Sequence, residues 1–310
     1  TVEKSQTYWD AETVKLNEIH FYPIANGSTE ERMYRAGQLH VTSGLPSEKI
    51  STYRDNNSES LNITAYLGTY FYRFNTRVPP LGDKRVRKAL SMSINRSQIV
   101  ERITKGGQLP AYAISPPNTN GFTSTAQVEY DVERARFLLA EAGFPNGEGF
   151  PKLEVIYNTS ESHRKIAIAI QQMWKKALNI NVTLANQDWQ VYLDRESRGD
   201  YAISRAGWIG DYLDPNNFLD MFLGNGGNNR TGWSSHEYDS LIAAAAKAST
   251  KAERFSYFQE NERILVEESP IMPIYTYTTA YLLQPSVKGW YHNILNQHPY
   301  KYIHLEASAK

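Results

Sequence analysis

Tyr201-Ala202-Ile203-Ser204-Arg205-Ala206-Gly207-Trp208-Ile209-Gly210-Asp211-Tyr212-Leu213-Asp214-Pro215-Asn216-Asn217-Phe218-Leu219 is the stretch on which the reading of this chain turns. It opens as a short strand, then crowds small residues, a tryptophan and two acids ahead of a helix started by Pro215. Gly207 and Gly210 permit close approach of another backbone. A strand edge beside them offers main-chain pairing to an extended peptide, whatever its side chains. Asp211 is suited to a ligand ammonium, and Trp208 to a flat apolar wall. The plainer alternative is that Trp208 packs in a core and Asp211 caps a helix.

Outward from this stretch, strands and helices alternate. Before it, Leu153-Glu154-Val155-Ile156-Tyr157 reads as a strand. Ile166, Ile170, Met173, Trp174 and Leu178 form the apolar stripe of a helix, and Ile180 to Leu184 is a second strand. Asp131 caps a helix that Gly143 closes, and Asn95 caps another. Ser28-Thr29-Glu30-Glu31 has the pattern of a capping box. Leu39 to Thr42 and Ile63 to Phe74 favour strand. Past the opening stretch, Leu241 to Ala248 and Ala252 to Glu267 favour helix, and Ile271 to Tyr281 and Tyr300 to Leu305 favour strand. The pattern predicts an α/β architecture with crossover connections. Boundaries are expected near Tyr66 and Thr278, where extended segments could cross between domains. Trp9, Trp233 and Trp290 are expected to be structural.

Composition removes several classes of function. The chain has 310 residues, with 33 Lys and Arg against 33 Asp and Glu, so its formal net charge is zero. A nucleic-acid binder needs a basic excess, and no polybasic tract is present to attract an anionic membrane. Cysteine is absent, which removes disulfide and thiolate chemistry. The seven histidines form no compact metal-ligand pattern, and no cofactor is expected. Gly224 to Asn229 lacks the lysine of a phosphate-binding loop. An enzyme using Asp211 and Asp214 as an acid–base pair is the main rival. Against it, Asp214 precedes Pro215 as a helix cap would, and no GxSxG nucleophile turn exists.

The run Arg205 to Leu219 resembles the signature of the oligopeptide- and dipeptide-binding proteins of ABC importers, the extracellular solute-binding proteins of family 5. Further segments resemble the same family in the same order. They are Tyr8-Trp9-Asp10-Ala11, Met33 to Gly37, Leu67 to Tyr72, Asp83 to Leu90, Leu138 to Gly143, Tyr157-Asn158-Thr159-Ser160 with His163, and Asn186-Gln187-Asp188-Trp189.

The resemblance implies a periplasmic-binding-protein-like fold of the type II, three-domain class, with one complete lobe and part of the other. Residues 68–278 would form the complete lobe, and residues 1–67 and 279–310 parts of its counterpart. Members are longer, so an amino-terminal region and an extra domain are expected to be missing. On this resemblance the protein is a non-enzymatic receptor that holds a short peptide in a cleft between lobes and delivers it to a membrane permease. It would work as a monomer in the periplasm or another extracytoplasmic space, with a lipid anchor open. A hydrolase, or a peptide receptor without a transporter, is the alternative.

The site residues follow by resemblance. Asp211 matches the aspartate that pairs with the peptide's amino terminus. Arg205, Ala206, Gly207, Trp208 and Ile209 match the strand that bonds its backbone. Trp208 and Trp189 match pocket walls, His163 a position that meets the peptide carboxylate, and Tyr277 a cleft tyrosine. This chain also departs from the pattern. Gly68 and Ile209 stand where oligopeptide-binding members have a cysteine pair. Glu196 and Ser197 replace an Arg-His pair that helps receive carboxylates, and Arg73 replaces an acid.

Overall fold

The computed structural model describes residues 1–56 and 58–306. The chain divides at Tyr66/Leu67 and again at Tyr277/Thr278 into two compact units. One comprises residues 1–66, 105–107 and those from 278 onward; the other comprises 67–104 and 108–277.

The first unit starts with the antiparallel pair β1 (Val2–Glu3) and β2 (Glu18–Ile19), followed by α1 (Gly27–Arg35) and α2 (Ser47–Asp55). Asn26, not Ser28, caps α1, because its side-chain oxygen accepts the Thr29 N–H at 3.0 Å. Glu31, the acid of the expected box, instead accepts the Tyr53 hydroxyl at 2.9 Å and pairs with Arg35 at 2.8 Å, while Glu30 accepts the Ser43 N–H and hydroxyl. Leu39 to Thr42 forms a single bridge, Val41 to Leu283, and no strand. The Thr42 hydroxyl takes the Leu282 N–H at 2.9 Å, which a longer ladder would have needed. Trp9 is 84% exposed, against expectation. Its ring carries the ammonium of Lys301, which in turn pairs with Asp10 at 2.9 Å.

β3 (Leu61–Phe74) runs from the first unit into the second. There follow α3 (Lys84–Met92), capped by Asp83, and α4 (Arg96–Ile99), capped by Asn95. Next come β4 (Leu109–Pro110), α5 (Val132–Glu141) capped by Asp131, β5 (Leu153–Asn158) and α6 (Glu161–Leu178). β6 (Val182–Gln187), α7 (Trp189–Arg198), β7 (Ile203–Ile209) and α8 (Asn216–Leu219) complete the middle. α9 (His236–Ala245) begins well before Leu241, because Ser235 caps it and Tyr238 is buried in its first turn. α10 (Lys251–Glu268) and β8 (Ile271–Leu282) follow, the latter returning to the first unit. There β9 (Val287–Lys288) pairs with β10 (His304–Leu305). The expected strand from Tyr300 opens as a helical turn at Tyr300–Tyr302, since Pro299 fixes the preceding backbone.

The main sheet has the order β4-β8-β3-β7-β5-β6. β3 and β7 are antiparallel, whereas β5 lies parallel to both β6 and β7. The β5–α6–β6 unit is the crossover that the alternation predicts. Its stripe is buried against the sheet: Ile166, Ile170, Trp174 and Leu178 are all inaccessible, and the Trp174 indole donates to the Leu90 carbonyl at 2.9 Å. This packing holds β5 and β7 in place from one side.

Candidate functional site

β7 pairs with β3 over its whole length, from Ile203 opposite Phe74 to Ile209 opposite Gly68. On its other side β5 reaches only Ile203 and Ser204. Beyond Ser204 no strand among the described residues continues that edge. The direction of the backbone groups there follows from two flanking bonds. Gly210 donates to the Leu67 carbonyl and Asn75 donates to the Ala202 carbonyl. In an antiparallel ladder this parity turns the even-numbered residues toward β3 and the odd-numbered ones away from it. The N–H and C=O groups of Gly207 and Ile209 therefore face the open edge. The Arg205 carbonyl also faces it, but already accepts a bond from the Tyr192 hydroxyl.

Side chains alternate across β7, placing Arg205, Gly207 and Ile209 on one face. The Arg205 guanidinium donates to Asn158 Oδ1 at 3.2 Å and the Tyr277 hydroxyl at 3.0 Å, and lies 4.7 Å over the Tyr70 ring. No carboxylate pairs with it among the described residues, and its buried Nε has no partner. His163, in the first turn of α6, meets the Tyr70 hydroxyl through Nδ1 at 3.3 Å. Burial, with the Arg205 charge beside it, lowers its pKa to about 3. The positive charge in this cluster is therefore Arg205's, and His163 is a neutral ring.

Glycines here admit the chain's own side chains, which corrects the expected reason for them. A Cβ on Gly207 would lie 2.4 Å from the Tyr277 hydroxyl, and one on Gly210 would lie 2.7 Å from Leu67. Gly68 likewise makes room for Ile209, its partner across the ladder, at 2.5 Å from where a Cβ would stand. The expected cysteine-pair position is thus filled by a large-into-small apolar fit.

Trp208 points to the other face, half-buried, and its indole N–H donates to Asn217 Oδ1 at 3.0 Å. The same oxygen accepts the Asp211 N–H at 3.3 Å, so buried Asn217 fixes both residues. Asp211 itself is exposed, and among the described residues its carboxylate has no ion-pair partner. Asp214 is the opposite case. One oxygen caps the Asn216 N–H at 2.9 Å, and both are bound by Arg254 at 2.5 and 2.8 Å. A fork so engaged leaves no free acid to pair with Asp211 in catalysis.

Trp189 is exposed at the start of α7 and stacks on Tyr192, ring centres 5.7 Å apart. Tyr192 links it to β7 through the Arg205 carbonyl. Below Tyr192, Glu196 is buried with Arg73 at 2.7 Å, Arg230 at 3.3 Å and the Ser204 hydroxyl at 2.6 Å. The two sequence departures, an arginine at 73 and an acid at 196, satisfy one another. Sequence reasoning missed Tyr192 and Asn217. The signal for Tyr192 was its place one helical turn after Trp189, on the same face.

Residues 1–230 match the bacterial extracellular solute-binding proteins, family 5, middle region. The oligopeptide-binding protein OppA of Bacillus subtilis is 38% identical over 301 residues, covering 93% of this chain and 55% of that protein. The periplasmic murein peptide-binding protein MppA of Escherichia coli is 37% identical over 291 residues, covering 91% of this chain and 54% of its own length. The solved structure of Escherichia coli MppA superposes with a TM-score of 0.89 at 34% identity, over 96% of this chain and 60% of that one. Haemophilus influenzae OppA, solved in complex with RPPGFSPFR, gives 0.88 at 33% identity, with the same coverage. The fold is accordingly α/β, of the type II periplasmic-binding-protein class. The chain belongs to the family 5 extracellular solute-binding proteins. It spans about half the length of the curated relatives it matches.

Proposed function

We propose that this chain carries the peptide-binding surface of the substrate-binding component of an ABC peptide importer. Residues 68–278 form the lobe that presents the surface, and residues 1–67 and 279–310 belong to the other lobe. The observation that carries the reading is the β7 edge, open at Gly207 and Ile209 and ending at an exposed Asp211 whose carboxylate has no ion-pair partner among the described residues.

An extended peptide pairs there with Gly207 and Ile209, its ammonium on Asp211 and its carboxylate toward the uncompensated charge of Arg205. That polarity makes the ligand antiparallel to β7. Trp208 and Trp189 flank its side chains, while Tyr277 and His163 shape the face around Arg205. The protein binds without turnover, a reading supported by the engagement of Asp214 and by relatives named as binding proteins. It acts outside the cytoplasmic membrane as a monomer that delivers peptide to a permease; relatives named periplasmic support the location.

Native mass spectrometry of the purified full chain, followed by release of its ligand, tests this. Unmodified short peptides are the expected cargo. Steady conversion of an added peptide to fragments would contradict the reading.

A further inference from the structure

We infer that Asn217 is a positioning residue for ligand recognition, its single amide oxygen setting both the acid that takes a peptide's ammonium and the indole that walls its side chains. The inference rests on the peptide reading of Asp211 and Trp208, and adds the residue that makes the two act together.

Two N–H groups converge on Asn217 Oδ1, the Trp208 indole at 3.0 Å and the Asp211 backbone at 3.3 Å. Each can only donate, so the amide has one allowed orientation, its oxygen toward them and its NH2 turned away. Asn217 is 4% exposed, whereas Trp208 is half-buried and Asp211 exposed. Solvent reaches both of those residues, and water is an adequate acceptor for their N–H groups. A buried amide in place of water adds a fixed geometry, at the expense of desolvating a polar group.

The amide is itself anchored. α8 starts on Pro215, and the Asn217 N–H donates to the Asp214 carbonyl at 3.1 Å. Asp214 is clamped by Arg254, and the next side chain, Phe218, is inaccessible. Between Trp208 and Asp211, the Gly210 N–H is tied to the Leu67 carbonyl at 2.7 Å. The turn is therefore held at Gly210 by β3, and on either side of it by one oxygen. The Asp211 carboxylate has no ion-pair partner among the described residues, so its place is set by its backbone. Without Asn217 Oδ1, an incoming ammonium meets a carboxylate that must first be ordered, and binding weakens by that ordering.

The test is calorimetric titration of the full chain and its Asn217→Leu, Asn217→Ala and Asn217→Asp variants with a free and an amino-acetylated tripeptide. Leucine and alanine remove the acceptor, and aspartate keeps an oxygen in its place. The expected result is a drop of about five-fold in the free-to-acetylated affinity ratio for Asn217→Leu and Asn217→Ala, the worth of one net hydrogen bond. Asn217→Asp should retain the ratio. The Trp208 indole N–H resonance, identified by its loss in Trp208→Phe, should shift toward that of a solvent-exposed indole in the first two variants alone. An unchanged ratio in those two, with both peptides weakened alike, is what a merely structural role gives and would overturn the inference. An equal drop with Asn217→Asp would overturn it too, and either result leaves the peptide reading intact. No preference of the unaltered chain for the free tripeptide would overturn the reading of Asp211 and this inference with it.

Discussion

The two ends of β7 handle charge in opposite ways. At the amino-terminal end, Glu196 is buried among Arg73, Arg230 and Ser204, and both of its carboxylate oxygens are engaged from within. At the carboxy-terminal end, Asp211 stands exposed with no cation paired to it among the described residues, and the backbone of Gly207 and Ile209 faces an edge that no described strand covers. Both ends use acids on adjoining segments of one compact unit. What separates structure from site is whether the charge is already compensated. Asp214 confirms the rule from close by: three residues after Asp211, it is clamped by Arg254 and belongs to the scaffold.

The contrast breaks first at the compensated end. Glu196→Ala leaves the Arg73 guanidinium buried without its partner, and should cost about 3–5 kcal/mol in urea unfolding. The double variant Arg73→Met, Glu196→Leu should recover most of that loss. A cost below about 1 kcal/mol for Glu196→Ala would mean that the pair is not the structural element described.

A smaller effect is expected at Gly207. Alanine there drives its methyl into the Tyr277 hydroxyl, an overpacking cost of about 1–3 kcal/mol. In a Tyr277→Ala background the same substitution should cost far less, which thermal unfolding of the four proteins measures. Equal costs in both backgrounds would remove Tyr277 from the notch.

A third effect, at His163, appears only as the pH falls. Its folded-state pKa of about 3 lies below its ordinary 6.5, because burial and Arg205 disfavour the charged ring. The stability this contributes is fully present above pH 6.5 and is lost as pH falls from there toward 3. The slope is at most about 1.4 kcal/mol per pH unit. His163→Phe should flatten the stability curve in that window, and an unchanged slope would contradict the neutral ring.

Much of the scaffold was legible because it is local. Asp83, Asn95 and Asp131 cap helices within a few residues of themselves, and the α6 stripe repeats at helical spacing. Asn26 escaped because Ser28, two residues on, fits the capping pattern as well, and only the fold chooses between them. Trp9 was misjudged since a large aromatic is usually buried. At the site, the stretch from Arg205 to Asp211 was legible as a strand leading to an acid. Its partners were not. Arg73 meets Glu196 only because β3 pairs with β7, and Tyr192 reaches Arg205 only across the α7–β7 turn. The glycines had the right residue type for close approach, but Tyr277 and Leu67 are what approach them.

The central claim is that Asp211 receives a peptide's ammonium. Calorimetry of the full chain and Asp211→Ala, each with a free and an amino-acetylated tripeptide, tests it most directly. The account predicts a loss of about 2 kcal/mol or more, roughly thirty-fold in affinity, for the free peptide with Asp211→Ala. It predicts little further loss for the acetylated one. Equal affinity of both proteins for the free tripeptide would contradict it.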